Sequence, residues 1–297
     1  MYKTEFTEFI CEFQAEIVAM IADMDPTAEY RRDEWERERN GYGISCCFQN
    51  GENFEKAGIN VSVVNGIISE ALLRQMQSEK REFKVNVGSA FRACGISLVV
   101  HPVNPHAPTT HFNYRYFEVD NVWWFGGGFD LSPAYVYKDD AEFFHNALKE
   151  ACGEAYYLKF SEWCDQYFWI PHRDEHRGIG GIFFDDLNVD VEFIKKIAST
   201  YIPVFRELMS RRIKQPYTDL NREWQQIRRG RYVEFNLICD RGTKFGLVSK
   251  VGRIESILVS LPRTARWEYC HKVIGEEETR SMTIFKRPRG TSYTLAQ

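Results

Sequence analysis

Six of the seven histidines lie between positions 101 and 176: His101, His106, His111, His145, His172 and His176. Imidazoles gathered in one stretch of chain are the raw material of a metal centre. The tightest group, His172-Arg-Asp-Glu175-His176, has the H-x-x-E-H order of inverted zinc peptidases. That chemistry needs both rings on one helical face. Pro171 before the motif, and Gly178, Gly180 and Gly181 after it, leave no room for a two-turn helix. The motif is therefore read as loop, with His176 a loop or surface residue. A second group is His111-Phe-Asn-Tyr-Arg-Tyr-Phe-Glu-Val119. On a strand its side chains alternate, so His111, Asn113 and Arg115 share one face and Phe112, Tyr114 and Tyr116 the other. A proton donor, an amide and a guanidinium in one row are costly to bury without a ligand or internal partners. A solvated sheet face would also carry them.

Trp123-Trp-Phe-Gly-Gly-Gly-Phe-Asp130-Leu-Ser-Pro133 comes next. No G-K-[ST] follows the glycines, so a nucleotide-phosphate loop is not expected. Three glycines after a bulky aromatic run fit a place where backbone approaches a ligand or another strand closely. Asp130, leaving that run, is placed either to accept N–H donors from a ligand or to cap a helix, as Ser132 is. Further on, seven arginines fall between positions 228 and 266. Arginine holds carboxylates bidentately, so the set suits an acidic ligand as well as a solvated face. Arg253 and Glu255, flanking Ile254, read as alternating along a strand.

These residues need elements to position them. Apolar residues at 6, 9, 10, 13, 17, 20, 21 and 24 make a helical stripe, and Pro26 ends it. Residues 29–39 read as a polar, charge-rich stretch. Strands are expected at 58–64, 95–101, 111–119, 121–125, 180–184, 231–239, 245–249 and 254–261. Helices are expected at 142–167, 190–214 and 218–229. The strands come in groups rather than alternating with helices. This predicts an α+β fold in one domain, with a mostly antiparallel sheet.

At 297 residues the chain can bury roughly three quarters of its unfolded surface. Hydrophobic residues at 44%, charged residues at 27% and a mean hydropathy of -0.42 exclude a disordered chain and an integral membrane protein. A net charge of -4 does not favour nucleic acid. The eight cysteines contain no C-x-x-C pair and read as scattered reduced thiols. Glu5, Glu8, Glu12 and Glu16 do not fit an imported presequence, so a cytosolic protein is expected. Aromatics reach 15%, and arginine outnumbers lysine 24 to 14. Both suit a flat, carboxylate-bearing ligand and both suit an ordinary large core.

An ordered series of motifs then carries a resemblance. It runs through Phe54-Glu-Lys-Ala-Gly-Ile-Asn60, Ser97-Leu-Val-Val-His-Pro102, Pro108-Thr-Thr-His-Phe-Asn-Tyr-Arg115 and the Trp123 to Pro133 segment. It continues through Arg177-Gly-Ile-Gly-Gly-Ile-Phe-Phe-Asp-Asp-Leu187, Gly230-Arg-Tyr-Val-Glu-Phe-Asn236, Asp240-Arg-Gly-Thr243 and Gly252-Arg-Ile-Glu-Ser-Ile-Leu258. The series resembles the oxygen-dependent coproporphyrinogen III oxidases of haem synthesis. The stretch from Gly41 to Asn50 follows that pattern only loosely, which leaves the role of residues 29–50 open.

The resemblance implies a large antiparallel sheet flanked by helices on both sides and a homodimer, with residues 232–269 as its contact segment. It implies oxidative decarboxylation of two propionates of coproporphyrinogen III to vinyl groups. The products would be protoporphyrinogen IX, CO₂ and hydrogen peroxide, with O₂ as co-substrate and no organic cofactor. By position, Asp130 would hold and help deprotonate pyrrole N–H groups, Arg115 would clamp a propionate and His111 would donate a proton. Ser97, Asn113, Tyr114, Gly252 and Arg253 match substrate-binding positions. His101, His111, His145 and His172 match a divalent-metal set credited to bacterial relatives. A histidine-ligated metallohydrolase and a non-catalytic tetrapyrrole-binding protein are the competing classes.

Overall fold

The N-terminal stripe forms helix α1 (Lys3–Met24), with Phe6, Ile10, Phe13, Ile17, Met20 and Ile21 buried along one side. Burying such side chains contributes about 1.5–3 kcal/mol each, which seats the helix on the sheet. A computed structural model of the chain describes residues 2–37, 41–70, 73–74, 85–249 and 253–293. Its centre is a seven-stranded antiparallel sheet. The strands are β1 (Glu29–Arg37), β2 (Gly41–Gln49), β3 (Phe54–Ile67), β4 (Ala90–Pro102), β5 (Thr109–Val119), β6 (Val122–Ser132) and β9 (Gly180–Leu187), neighbouring one another in that order. A small hairpin, β7 (Trp169–Ile170) with β8 (Glu175–His176), precedes β9.

One sheet face is aromatic and dry. Phe112 of β5 packs between Phe13 of α1 and Tyr201, with ring centroids at 5.9 and 4.8 Å. Phe129 of β6 meets Phe144 at 5.0 Å. Helices α2 (Lys138–Cys152), α3 (Glu154–Tyr167), α4 (Val191–Ser199) and α5 (Tyr201–Arg212) complete this layer. Much of the aromatic content is this core. The opposite face carries a thinner cover: α6 (Asp219–Glu234), a π-helical turn (Phe235–Cys239), α7 (Arg241–Ser249) and α8 (Ile254–Leu258). Helix α9 (Glu276–Phe285) closes the described chain. The α+β sheet with helices on both sides is as expected.

Several elements differ from expectation. The stretches 231–239 and 245–249 are helical rather than extended, and 254–261 is a short helix, Ile254–Leu258, followed by a turn. Short apolar runs fit either period. The buried positions Trp224, Ile227, Arg228, Tyr232 and Phe235 show that the helical register of α6 continues as far as Phe235. Arg253 therefore does not alternate with Glu255 on a strand; it precedes the short helix α8, none of whose residues is buried. The expected helix 142–167 is two, because Gly153 at φ +78° ends α2. The expected helix 190–214 is also two. Pro203 has no N–H for the carbonyl of Ser199, and the chain breaks at Thr200. The charge-rich stretch after Pro26 is edge strand β1, and Gly41 to Gln49 is its partner. The glycine run after Trp123 lies inside β6, in the body of the sheet.

Candidate active site

Strand register builds the site, because residues directly opposite one another share a sheet face. Pairing across β1 to β6 aligns Asp33, Ser45, Asn60, Ser97, Asn113 and Gly128 in one row. The next row holds Gly58, Val99, His111 and Asp130. The third holds Gly95, Arg115 and Gly126. Polar and small side chains thus cover the face turned away from the aromatic core. The π-helical turn, α7 and α8 arch over it. Between floor and roof lies a cleft of about 470 Å³, lined by Asn60, Ser97, His111, Asn113, Arg115 and Arg241, among others. That size suits a small-molecule site. A second hollow of about 650 Å³ lies between α1 and the β1–β2 hairpin and contains none of the candidate residues.

His111 and Asp130 face each other across the β5–β6 pair, with Nδ1 2.6 Å from Asp130 Oδ1. A carboxylate only accepts, so Nδ1 carries the proton and donates it. Asp130 Oδ2 accepts from Arg177 Nη2 at 2.7 Å. Arg177 lies in the turn ahead of β9 and is buried. Its guanidinium sits 4.1 Å from the ring centre of Phe168, 4.6 Å from Tyr232 and 4.8 Å from Phe235. Its Nη1 donates to Asn236 on the π-helical turn at 3.0 Å. Burial opposes the charge on Asp130, yet Arg177 and His111 together hold its carboxyl below the ordinary range. The His111 side chain keeps 20% exposure while Asp130 keeps 3%. The histidine therefore meets the cleft and the aspartate stands behind it. Both its oxygens accept from within the protein, and each keeps capacity for a further donor.

Arg115 Nη2 donates to Asp185 Oδ2 at 2.7 Å. Gly126 makes room for the pair, since a Cβ there would lie 2.6 Å from Asp185 Oδ1 and 2.8 Å from Arg115 Nε. The glycines thus serve close approach between neighbours in the sheet. Ser97 and Asn113 line the cleft floor. Tyr114 does not: it is fully buried on the aromatic face, as strand alternation requires, so its side chain is not a substrate contact. Arg253 Nη1 pairs with Asp33 Oδ2 at 2.7 Å at the edge of the roof. Gly252 lies outside the described residues.

The four-histidine centre does not assemble. His101 is fully buried, its Nε2 2.9 Å from the Ser260 carbonyl and its Nδ1 3.3 Å from Thr109 Oγ1. His145 lies on α2 in the core layer, between the Tyr157 hydroxyl at 2.8 Å and the Ile179 carbonyl at 3.2 Å. His172 Nε2 meets Glu234 Oε2 at 2.9 Å. With His111 committed to Asp130, the four rings occupy four separate settings. Among the described residues, no three His, Cys, Asp or Glu side chains are placed to hold one ion. The residues present do not fit the metal. The H-x-x-E-H motif spans the β7–β8 hairpin and is not helical. His176 is not a surface residue but is buried against Trp169 at 4.8 Å.

A family model described as coproporphyrinogen III oxidase matches residues 5–290. The chain belongs to the coproporphyrinogen III oxidase family. It is 48% identical to the rat protein named oxygen-dependent coproporphyrinogen-III oxidase, mitochondrial, over 97% of this chain and 68% of that one. It is 48% identical to the fruit-fly oxygen-dependent coproporphyrinogen-III oxidase, over 94% of this chain and 76% of that one. The soybean chloroplastic protein of the same name is 45% identical over 97% of this chain and 79% of that one. Oxygen-dependent members take O₂ as co-substrate.

The residues that sequence reasoning left without a role are Arg177, Asp185 and Asn60. Arg177 and Asp185 lie in the Arg177 to Leu187 motif, and Asn60 ends the first one. Nothing in local spacing ties Arg177 to Asp130, 47 positions earlier. Only the sheet and the turn before β9 bring them together. Residues 29–50 also gain a place: their strands support the roof, where Ser45 Oγ lies 2.8 Å from Ser256 Oγ and Asp33 holds Arg253.

Proposed function

We propose that this chain converts coproporphyrinogen III to protoporphyrinogen IX in haem synthesis. At each of two propionates the bond to the carboxylate breaks and CO₂ leaves. A C–H bond on the neighbouring carbon breaks, and a vinyl double bond forms. O₂ takes up the two electrons and two protons as hydrogen peroxide. Membership of the family, with relatives named for this activity, carries the reading. The cleft supports it by gathering oriented polar groups against a wall that shuts out water on the core side.

His111 is the proton-carrying group that meets substrate. Asp130 and Arg177 position it, fixing the proton on Nδ1. Arg115 clamps a propionate. A guanidinium has five N–H donors, enough to serve Asp185 and a carboxylate together. Ser97, Asn113 and Arg253 complete the substrate contacts. We read the chain as a homodimer. In support, the segment 232–269 exposes Leu237, Ile238, Ile254, Trp267 and Tyr269. We read the compartment as the cytosol, supported by eight unpaired cysteines. Cell fractionation tests it, and the mitochondrial and chloroplastic names of relatives make those organelles the alternative.

The test is direct. Purified, metal-stripped protein is incubated in air with coproporphyrinogen III, and CO₂ and protoporphyrinogen are measured. Both should appear in a 2:1 ratio. Binding without product would instead make the chain a tetrapyrrole carrier.

A further inference from the structure

The turn between β8 and β9 carries Arg177 to the cleft and must itself be held still. On its sheet side the Ile179 N–H donates to the Leu131 carbonyl of β6 at 3.0 Å. On its helix side the Arg177 N–H donates to the Phe168 carbonyl at 2.9 Å. The C-terminal segment after α9 supplies a third tie, through the buried side chain of Arg287.

Arg287 engages four partners. Its Nε donates to the Thr291 carbonyl at 2.9 Å. Its Nη1 donates to the Gly178 carbonyl at 3.2 Å and to the Ile284 carbonyl at 3.1 Å. Its Nη2 donates to Asp165 Oδ1, in the last turn of α3. The Asp165 carboxylate abuts the same turn as Gly178. Gly180, at φ +80°, comes so near that a Cβ there would stand 2.7 Å from Oδ1. On the other flank of Arg177, His176 Nε2 lies 3.4 Å from the Pro288 carbonyl. One guanidinium thus joins the C-terminal segment, the end of α3 and the residue that follows Arg177. The end of α3 leads directly into Phe168, whose ring centre lies 4.1 Å from the Arg177 guanidinium. Three carbonyls and a carboxylate converging on one side chain need a rigid fork of donors, which a lysine ammonium does not provide.

We propose that Arg287 is a positioning residue for the reaction: it fixes the turn of residues 176–180 so that Arg177 meets Asp130, and Asp130 meets His111. This rests on the activity proposed above. A buried ion pair adds little net stability, because desolvation offsets attraction, so the contribution of the Arg287–Asp165 pair lies in where it holds its neighbours. Arg287 touches none of the residues that meet substrate. Its effect reaches the cleft only through the aim of Arg177.

The experiment uses the full chain. Arg287→Met removes the fork, and the double variant Arg287→Met with Asp165→Asn also removes the carboxylate that would be left buried without a partner. Steady-state turnover, ¹⁵N NMR of the His111 ring and thermal unfolding are read on each. A core variant away from the cleft, Ile194→Val on α4, serves as the control for lost stability alone. The folded double variant should lose about tenfold to a hundredfold in kcat, as a reacting group does when its aim is lost. Its His111 signal should change from one tautomer, with the proton on Nδ1, to a mixture of two. Ile194→Val should keep both the rate and the single tautomer. A kcat within about twofold of wild type in either folded variant overturns the proposal. So does a fall in kcat with the His111 tautomer unchanged, or failure of both variants to fold, since either makes Arg287 a purely structural residue. Wild-type turnover is scored separately. Its absence removes the proposed activity, while the His111 signal still reports whether Arg287 holds the array.

Discussion

Asp130→Asn tests the arrangement at its centre. The substitution keeps shape and removes charge. Arg177 has only donors, so the new amide must give its oxygen to Nη2, now 2.7 Å away. Its NH₂ then faces His111 Nδ1, which lies 2.6 Å from Asp130 Oδ1. A donor there forces Nδ1 to accept and moves the ring proton to Nε2. The lost charge-assisted bond is worth about 1.5–3 kcal/mol, which corresponds to roughly 10- to 150-fold in kcat. The buried Arg177 also loses its counter-charge. Breaking a buried pair costs about 3–5 kcal/mol, or roughly 5–8 °C in Tm for a chain of this size. The assays are steady-state turnover, ¹⁵N NMR of the His111 ring and thermal unfolding. A folded variant with kcat within threefold of wild type, or with the proton still on Nδ1, would refute the positioning role.

Further outcomes follow from the same geometry. His101, His145 and His176 are buried, which pushes each imidazole down to about 3 from 6.5. The unfolded chain binds those protons first, so stability falls as pH drops through 6.5 toward 3. Between pH 7 and 5 the loss approaches roughly 2 kcal/mol per histidine. Burial raises the Asp165 carboxyl to about 6 against the pull of Arg287. That group contributes in the opposite sense, gaining about 1 kcal/mol on the same acidification. Urea unfolding at the two pH values should therefore show a net loss, and equal midpoints would contradict the buried neutral histidines. Tyr114→Phe removes a buried hydroxyl that has no partner, so activity should be unchanged and stability equal or up by about 1 kcal/mol. A tenfold loss of turnover would return Tyr114 to the site. Gly126→Ala should displace the Arg115–Asp185 pair and raise KM about tenfold with the fold kept, and an unchanged KM would argue against a clamp at Arg115. Arg115→Lys should show a similar defect, since a point charge cannot replace the planar fork.

The sequence by itself determined the layers and the face of β5. A stripe of period 3.6 at 6, 10, 13, 17 and 21 has only one side to bury, and α1 buries it. Alternation along 111–119 settled that His111, Asn113 and Arg115 look one way and Tyr114 the other, even though resemblance alone had grouped all of them with the substrate. The motif order determined the family. Tertiary structure decided what local spacing does not encode. The strand-like run after position 231 became helix because the buried register of α6 carries on to Phe235. Four histidines that might have met around an ion were held in four different settings by their own partners. Asp130 was paired with Arg177, and the Asn60 amide was held by a carbonyl of α8. These last two contacts join groups 47 and 196 positions apart along the chain. Hydrogen-bond satisfaction in a buried site is decided by neighbours in space, which a one-dimensional pattern does not specify.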